Sequence, residues 1–378
     1  MNIKGAESNM AKKATAGPKK SADAAAFARA VNEAYKGNLV TKGSSNVVIL
    51  NVPRFSTGIL SVDEAVGGGW PRGRITVLAG ENSTGKTEMV IQACVSVQKY
   101  DKNTKEHTLL FDHTARTFVP SRALYIDVEN SFDKVWAAKK GFDLGHHYIV
   151  RPDTSEQAID IITRALDEGH FDLIVLDSIA QMTPSAELEA SSEDWQMGLA
   201  ARLNNKAFRK WVSVMSKKNR AGKPAPALIC INQMRLNIGQ MFGDPRSLPG
   251  GKGQEFAASI IVYTRSSKYD NTSSAAASVV ELGGVVYKNK TFTPKQNYTF
   301  KMGVKQSTDH DLGEVDNFTE LLKRAKEVGF VKRAGGTHNL FKLGYPSESS
   351  LRAALKSDEA LRYKLWRSIV KHSTKAEL

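Results

Sequence analysis

Eight consecutive residues, Gly80-Glu81-Asn82-Ser83-Thr84-Gly85-Lys86-Thr87, have the types and spacing of a phosphate-binding loop. Glycines let backbone N–H groups converge on phosphate oxygens, and the start of a following helix adds partial positive charge. Lys86 can neutralise β- and γ-phosphates, and the Thr87 hydroxyl can ligate Mg²⁺. The loop follows the strand-like run RITVLA and precedes the helix-like run EMVIQACVSVQ, which is the context it needs. ATP with Mg²⁺ is therefore the expected cofactor pair. FDLIVLDS ends an apolar run on Asp177. Alone, such an aspartate is a turn residue; beside a phosphate loop it can hold Mg²⁺ through water. LYIDVEN carries Asp127 and Glu129, which point the same way if the strand continues through both. Glu129 is the candidate to orient and deprotonate water, the alternative being a solvated loop carboxylate.

Those residues need a scaffold that brings strand ends together. From about residue 54, short apolar runs (RITVLA, RALYIDV, FDLIVLD, PALICIN) alternate with helical segments. One helix, TSEQAIDIITRALDEG, opens on a Thr154-to-Gln157 capping box. Another, QMGLAARLNNKAFRKWVSVMSK, carries Leu199, Leu203, Ala207 and Trp211 on one face. Near-continuous apolar strands alternating with helices imply an α/β fold with a mainly parallel sheet covered on both faces. The expected organisation is a disordered basic arm over residues 1–21, a helix and strand over 22–53, an ATPase core over 54–305, and a small α-rich domain over 306–378. Within the second segment, ADAAAFARAVNEAYK reads as helix and NVVILNV as strand; in the last, AGGTHN reads as a turn. Residues 101–120 look inserted, and SSKYDNTSSAAAS reads as a hairpin tip. Met10 offers a second possible translation start.

The formal net charge of +14 favours a polyanionic partner such as nucleic acid, although simple solubility also accounts for it. Cys94 and Cys230 lie in apolar contexts without metal-ligand spacing, so they read as core residues of a reducing compartment. No apolar run approaches bilayer length and the N-terminus lacks an apolar signal core, so a cytoplasmic, membrane-free protein is expected.

INQMRLNIGQMFGDPRSLPGGKG, residues 231–253, combines apolar side chains with five glycines and two prolines and fits no regular element. An apolar, glycine-punctuated loop exposes grease unless something covers it in some state. Stretched single-stranded DNA is one such partner, because apolar side chains can fill the gaps between separated bases. Ile238 is the candidate wedge, and Gly239, Gly250 and Gly251 would let backbone approach phosphates.

Taken in order, GENSTGKT, LYIDVENSFD, LIVLDSIAQMTPSAELE, MGLAARLNNKAFRK and INQMRLNIGQMFGDP…GGKG resemble the bacterial RecA recombinase family, including its phage members, from about Ser56 to Lys295. The resemblance implies a RecA-type P-loop core that forms a helical filament on single-stranded DNA and exchanges strands with a homologous duplex, with ATP sites at subunit interfaces. It implies that residues 22–53 pack against a neighbouring subunit. It places Glu129 as the catalytic carboxylate, Asp133 and Trp136 near adenine, and Gln233 as a sensor of the γ-phosphate. Lys288 and Lys290 in VVYKNK would enter the neighbouring subunit's ATP site in the manner of an arginine finger. Without the resemblance these two read as an exposed basic strand end. DNA contacts are implied for Met197, Arg202, Arg209, Leu236, Asn237, Ile238 and Lys252, with Arg235 as a further candidate and Phe242 as a possible reporter to the adjoining subunit. A hexameric helicase, a non-hydrolysing DNA-binding scaffold and a mediator of another recombinase are the rival readings. The chain departs from the family at Glu255, where Lys is common, at Ala190 and Glu193, where Gly is common, and at Asn237, which replaces a basic residue. It ends on KHSTKAEL and not on an acidic tail, which leads to an expectation of DNA binding less dependent on Mg²⁺. This ending and the inserted segments suggest a phage origin.

Overall fold

The structure is a computed structural model that describes residues 20–36, 39–40, 52–101, 106–107, 121–189, 198–223, 225–236, 246–269, 278–306 and 311–375. Of the expected strand NVVILNV, only Val52 is among them. The expected basic arm, the body of the 101–120 insertion and the hairpin tip 270–277 also lie outside the described residues, apart from short flanks.

An N-terminal unit contains the helix Lys20–Ala34 (α1). Ala-rich composition favours this helix. Asn32 ties down the chain that follows: its Oδ1 accepts from Leu39 N and Val40 N, and its amide donates to Val40 O at 2.8 Å.

In the main unit, eight strands form the central sheet. They are β1 (Ile75–Gly80), β2 (Ala123–Asp127), β3 (Tyr148–Val150), β4 (Leu173–Asp177), β5 (Ala227–Gln233), β6 (Ile260–Tyr269), β7 (Val279–Asn289) and β8 (Asn297–Gly303). Their spatial order is β8-β7-β6-β1-β5-β4-β2-β3. Every pair from β6 to β3 is parallel; β7 and β8 extend the sheet antiparallel. This is the mainly parallel α/β sheet expected from the apolar runs.

Helices of the main unit include α2 (Leu60–Val66), α3 (Lys86–Val97), α4 (Lys134–Lys139), α5 (Ser155–Glu168), α6 (Leu199–Arg220), α7 (Gly253–Ala257), α8 (Asn317–Glu327), α9 (Glu348–Ser357) and α10 (Glu359–Lys375). Alternation along each strand sends side chains to both faces. Leu78, Val175 and Ile229 join α3 and α4 in one apolar layer. Val77, Ile174 and Leu228 join α5 and α6 in the other. Of the capping box expected for α5, one half is present, with Thr154 accepting from Gln157 N at 3.2 Å; the Gln157 side chain accepts from Asp153 N and not from Thr154 N.

The C-terminal region is α-rich, as expected, but it also holds an element that the sequence did not indicate. Between α8 and α9 it holds a three-stranded antiparallel sheet, Val331–Ala334, Thr337–Leu340 and Leu343–Tyr345. These strands are short and mostly polar, so alternation is weak in the sequence. The AGGTHN turn is present as Gly335 and Gly336, both at positive φ, which glycine adopts freely. Nor does this region keep a core to itself. Leu60 of α2, fully buried, sits among Leu321, Leu322, Leu351, Leu355, Leu365 and Ile369. Buried Asp63 accepts from Trp366 Nε1 at 3.0 Å, and Glu64 pairs with Arg324 at 2.7 Å. Leu60→Ala is therefore expected to cost about 3 kcal/mol of stability, measured by urea unfolding followed by circular dichroism. A loss below about 1 kcal/mol would show that α2 does not hold the C-terminal elements.

Candidate functional site

Parallel pairing in register brings four strand ends to one edge of the sheet. Gly80 of β1 stands opposite Gln233 of β5, and Asp127 of β2 stands opposite Asp177 of β4. The phosphate loop leaves β1 here and enters α3. Ser83 and Gly85 take positive φ (59° and 85°), which turns the chain within the loop. Gly80 has no room for a side chain: a Cβ would lie 1.9 Å from Thr264 Oγ1. Thr84 Oγ1 in turn bonds Thr264 Oγ1 at 2.6 Å and Glu81 O at 2.8 Å, bracing the loop against β6. Lys86 is buried and donates to Gly80 O (3.1 Å) and Glu81 O (2.6 Å). Burial lowers its pKa, and the charges of Asp177, Glu129 and Glu81 pull it partly back. Glu81, Asn82, Ser83 and Thr87 are exposed, and a 250 Å³ cavity is lined by Ser83 to Glu88 and by residues of β6, β7 and β8.

Asp177 is buried at the end of β4 and accepts from the Tyr125 hydroxyl at 2.5 Å. Burial pushes its pKa up from 3.8 to about 6; Tyr125 and Lys86 oppose the rise, while Glu129 and Asp127 add to it. Glu129 lies past the end of β2, so strand alternation does not govern it and does not align it with Asp127. The two carboxylates take different partners. Glu129 Oε1 accepts from Ser178 Oγ at 2.6 Å. Asp127 accepts from Ser131 N and Phe132 N and pairs with Arg151 at 2.9 Å. Asp127 is thus committed to shaping the turn, and half-buried Glu129 stands beside Asp177 near Lys86. Thr87 and Asp177 are two oxygen donors, which suits Mg²⁺, an ion that keeps most of its waters. A buried carboxylate with a raised pKa also gains from a cation nearby.

Asp133 caps α4, its Oδ1 accepting from Val135 N and Trp136 N. Trp136 is half-buried, with its indole N–H on Glu88. Lys288 and Lys290 project from the same end of β7, donating to Glu255 O and Phe256 O at the end of α7. Burial and the neighbouring Lys290 hold Lys288 below the usual lysine range. Lys288 pairs with Ile261, which in turn pairs with Val77 toward the start of β1. The two lysines therefore sit toward the opposite end of the sheet from their own phosphate loop.

The 231–253 stretch is more regular than its sequence suggested. Ile231 to Gln233 belong to β5, and Arg235–Leu236 pairs antiparallel with Arg246–Ser247. Asn237, Ile238 and Gly239, with Met197, Ala190, Glu193 and Phe242, lie outside the described residues. The far end is clamped on α6. At Gly250 a Cβ would come within 2.8 Å of Ile179 Cγ2, and at Gly251 within 2.9 Å of Asn205 Oδ1. Buried Gln254 bonds Pro249 O, Gly251 O and Asn232. The immediate use of Gly250 and Gly251 is close packing on a helix. Arg202, Arg209, Arg235 and Lys252 all have exposed side chains, the first two on α6.

Sequence reasoning passed over Ser178, Tyr125 and Thr264, which touch Glu129, Asp177 and the loop. Only Tyr125 carried a signal, two residues before Asp127 on a strand that pairs with the one bearing Asp177.

The raised pKa of Asp177 makes stability depend on pH. Its folded value of about 6 exceeds the unfolded 3.8, so protonation favours the fold. That contribution is full below the unfolded value and is lost as pH rises through about 6. Asp177→Asn removes the titration and keeps an acceptor for Tyr125. Without divalent metal it is expected to be more stable than the parent at pH 8 by on the order of 2 kcal/mol. Lys86 loses a counter-charge, which keeps the gain below the full shift. The difference should shrink as pH falls through 6 toward 4 in urea titrations with EDTA; a pH-independent difference would rule out this cause.

The family described as the RecA N-terminal domain matches residues 22–306. Protein RecA of Chloroherpeton thalassium is 35% identical over 339 residues, which is 88% of this chain and 84% of that protein. Protein RecA of Borreliella afzelii is 31% identical over 329 residues, covering 86% and 81%. Protein RecA of Bacteroides thetaiotaomicron is 31% identical over 333 residues, covering 87% and 90%. With matches this long, on a sheet whose parallel ends gather Lys86, Glu129, Asp177 and Gln233, the chain belongs to the RecA family.

Proposed function

We propose that this chain binds ATP with Mg²⁺ on Gly80–Thr87 and hydrolyses it within a helical filament on single-stranded DNA. As a RecA-family member it is a DNA-dependent ATPase and strand-exchange recombinase of homologous recombination and repair. The observation that supports this is the meeting of Lys86, Glu129 and Asp177 at neighbouring strand ends, with Gln233 beside Gly80 and two residues before the loop stem. Mg²⁺ when bound offsets charge on the β- and γ-phosphate oxygens. Loop N–H groups and Lys86 grip those oxygens, and Thr87 and Asp177 hold the ion. Glu129, steadied by Ser178, orients the attacking water and takes its proton. Gln233 reads the γ-phosphate and passes its state to the loop that begins two residues later.

Lys288 and Lys290 serve the phosphate site of the next subunit, because their own lies toward the other end of the sheet. Trans-acting lysines make hydrolysis depend on assembly. Phe27 and Tyr35 of the N-terminal segment, 64% and 73% exposed, supply apolar surface for the same assembly. Arg202, Arg209 and Lys252 hold DNA phosphates without regard to sequence. Homologous double-stranded DNA is the second substrate, and the compartment is the cytoplasm of a bacterial cell or of a phage-infected host. Among the described residues no helix is long and apolar enough to cross a membrane.

Strand exchange with homologous and heterologous duplexes tests the whole reading; equal product from both would refute it, and closed rings on single-stranded DNA in negative stain would favour a helicase. Glu129→Gln is expected to lower DNA-stimulated ATP turnover by about a hundredfold or more, with retained ATP binding. Unchanged turnover removes Glu129 from catalysis. The Arg202→Ala, Arg209→Ala double variant should reduce the slope of log affinity for single-stranded DNA against log salt by about 1.4. A parental slope would take both residues off the DNA.

A further inference from the structure

On the open side of the phosphate cavity, three side chains from two helices form a closed network. Glu88 lies one residue past Thr87 in α3. Its Oε1 accepts from Trp136 Nε1 at 2.9 Å, and its Oε2 lies 2.9 Å from Lys140 Nζ. The Lys140 side chain is wholly buried (0% exposed). Its ammonium also donates to Gly313 O at 3.0 Å, lies 3.3 Å from Met302 Sδ, and sits 5.8 Å from the Trp136 ring centroid. Gly313, at φ +82°, backs the indole closely: a Cβ there would lie 3.5 Å from Trp136 Cη2. Glu88 and Met302 both line the 250 Å³ cavity that contains Ser83 to Thr87.

Pairing a buried lysine with a partly buried glutamate is a poor way to gain stability, since apolar residues of the same size often do as well. Here the carboxylate has a second partner. It holds the indole N–H, so the ring on α4 is oriented by a residue on the helix that begins with Lys86 and Thr87. The distance and tilt between phosphate grip and aromatic surface are thereby set by one side chain.

We propose that Glu88 is a positioning residue for the nucleotide. Through Trp136 Nε1–H, and with Lys140 as its counter-charge, it fixes the plane on which the base stacks relative to the phosphate loop. This rests on the family resemblance, which places Trp136 near adenine, with the indole face taken as the surface on which the base stacks.

Two variants isolate the effect without stranding a buried charge. Glu88→Gln with Lys140→Met keeps an acceptor for the indole; Glu88→Leu with Lys140→Met removes it. Equilibrium binding of ATPγS and of inorganic tripolyphosphate, which has no base, is measured with Mg²⁺ for both, for the parent and for Trp136→Ala, together with KM and kcat for ATP. The Leu/Met variant is expected to bind ATPγS about tenfold more weakly than the Gln/Met variant. Tripolyphosphate should bind both equally, and the change should fall on KM with kcat held. Equal ATPγS affinity of the two variants, alongside a weakened Trp136→Ala, overturns the role of Glu88 alone. Equal losses for tripolyphosphate overturn it too, because Glu88 then acts on the loop. Parental ATPγS affinity in Trp136→Ala overturns the stacking reading beneath it.

Discussion

The in-register pairing of parallel strands is the constraint on which the site depends. Lys86, Glu129, Asp177 and Gln233 are spread over 148 positions of chain, and each follows or ends a different strand. Only because β1, β5, β4 and β2 run the same way, with Gly80 opposite Gln233 and Asp127 opposite Asp177, do their ends meet. The meeting concentrates charge in a place with little water. Asp177 is pushed up to about 6 and Lys86 is pushed down, so each is held short of its comfortable ionisation by the same burial. Such a site is poised for a ligand that brings a divalent cation and phosphates together.

Several supporting contacts brace this edge. Thr264 of β6 fills the space against Gly80, Tyr125 of β2 holds Asp177, and Ser178 holds Glu129. Asp127, which strand alternation would have pointed the same way as Glu129, instead accepts two backbone N–H groups and pairs with Arg151. It organises the turn that carries the chain from β2 to α4, where Asp133 caps the helix bearing Trp136.

The same register gives the proposed coupling its geometry. Gln233 stands beside the first residue of the phosphate loop, and the ribbon Arg235–Leu236 with Arg246–Ser247 begins two residues later. At the far end, Gly250 and Gly251 lock the returning chain onto α6, the helix that carries Arg202 and Arg209. A shift at the strand end would thus reach the loop through one residue on one side, while the other side is held to a rigid helix. Lys288 and Lys290 lie toward the opposite end of the sheet from their own phosphate loop, which agrees with the proposed completion of the site by a neighbouring subunit.

Local patterns in the sequence determined a good deal. The glycines and lysine of Gly80–Thr87 imply phosphate because backbone N–H groups and one ammonium are a sufficient chemistry at that spacing. Unbroken apolar runs alternating with helices imply a parallel sheet because both faces must be covered. Short polar strands near the C-terminus left no such periodicity, so the sheet at Val331–Tyr345 was not legible. Nor could spacing show that Asp127 would be tied to Ser131, Phe132 and Arg151, that Leu60 would enter the C-terminal core, or that Glu88 would hold an indole 48 residues away. Those outcomes depend on strand order, register and the packing of distant side chains, and they are settled only when the sheet closes and each buried polar group must find a partner.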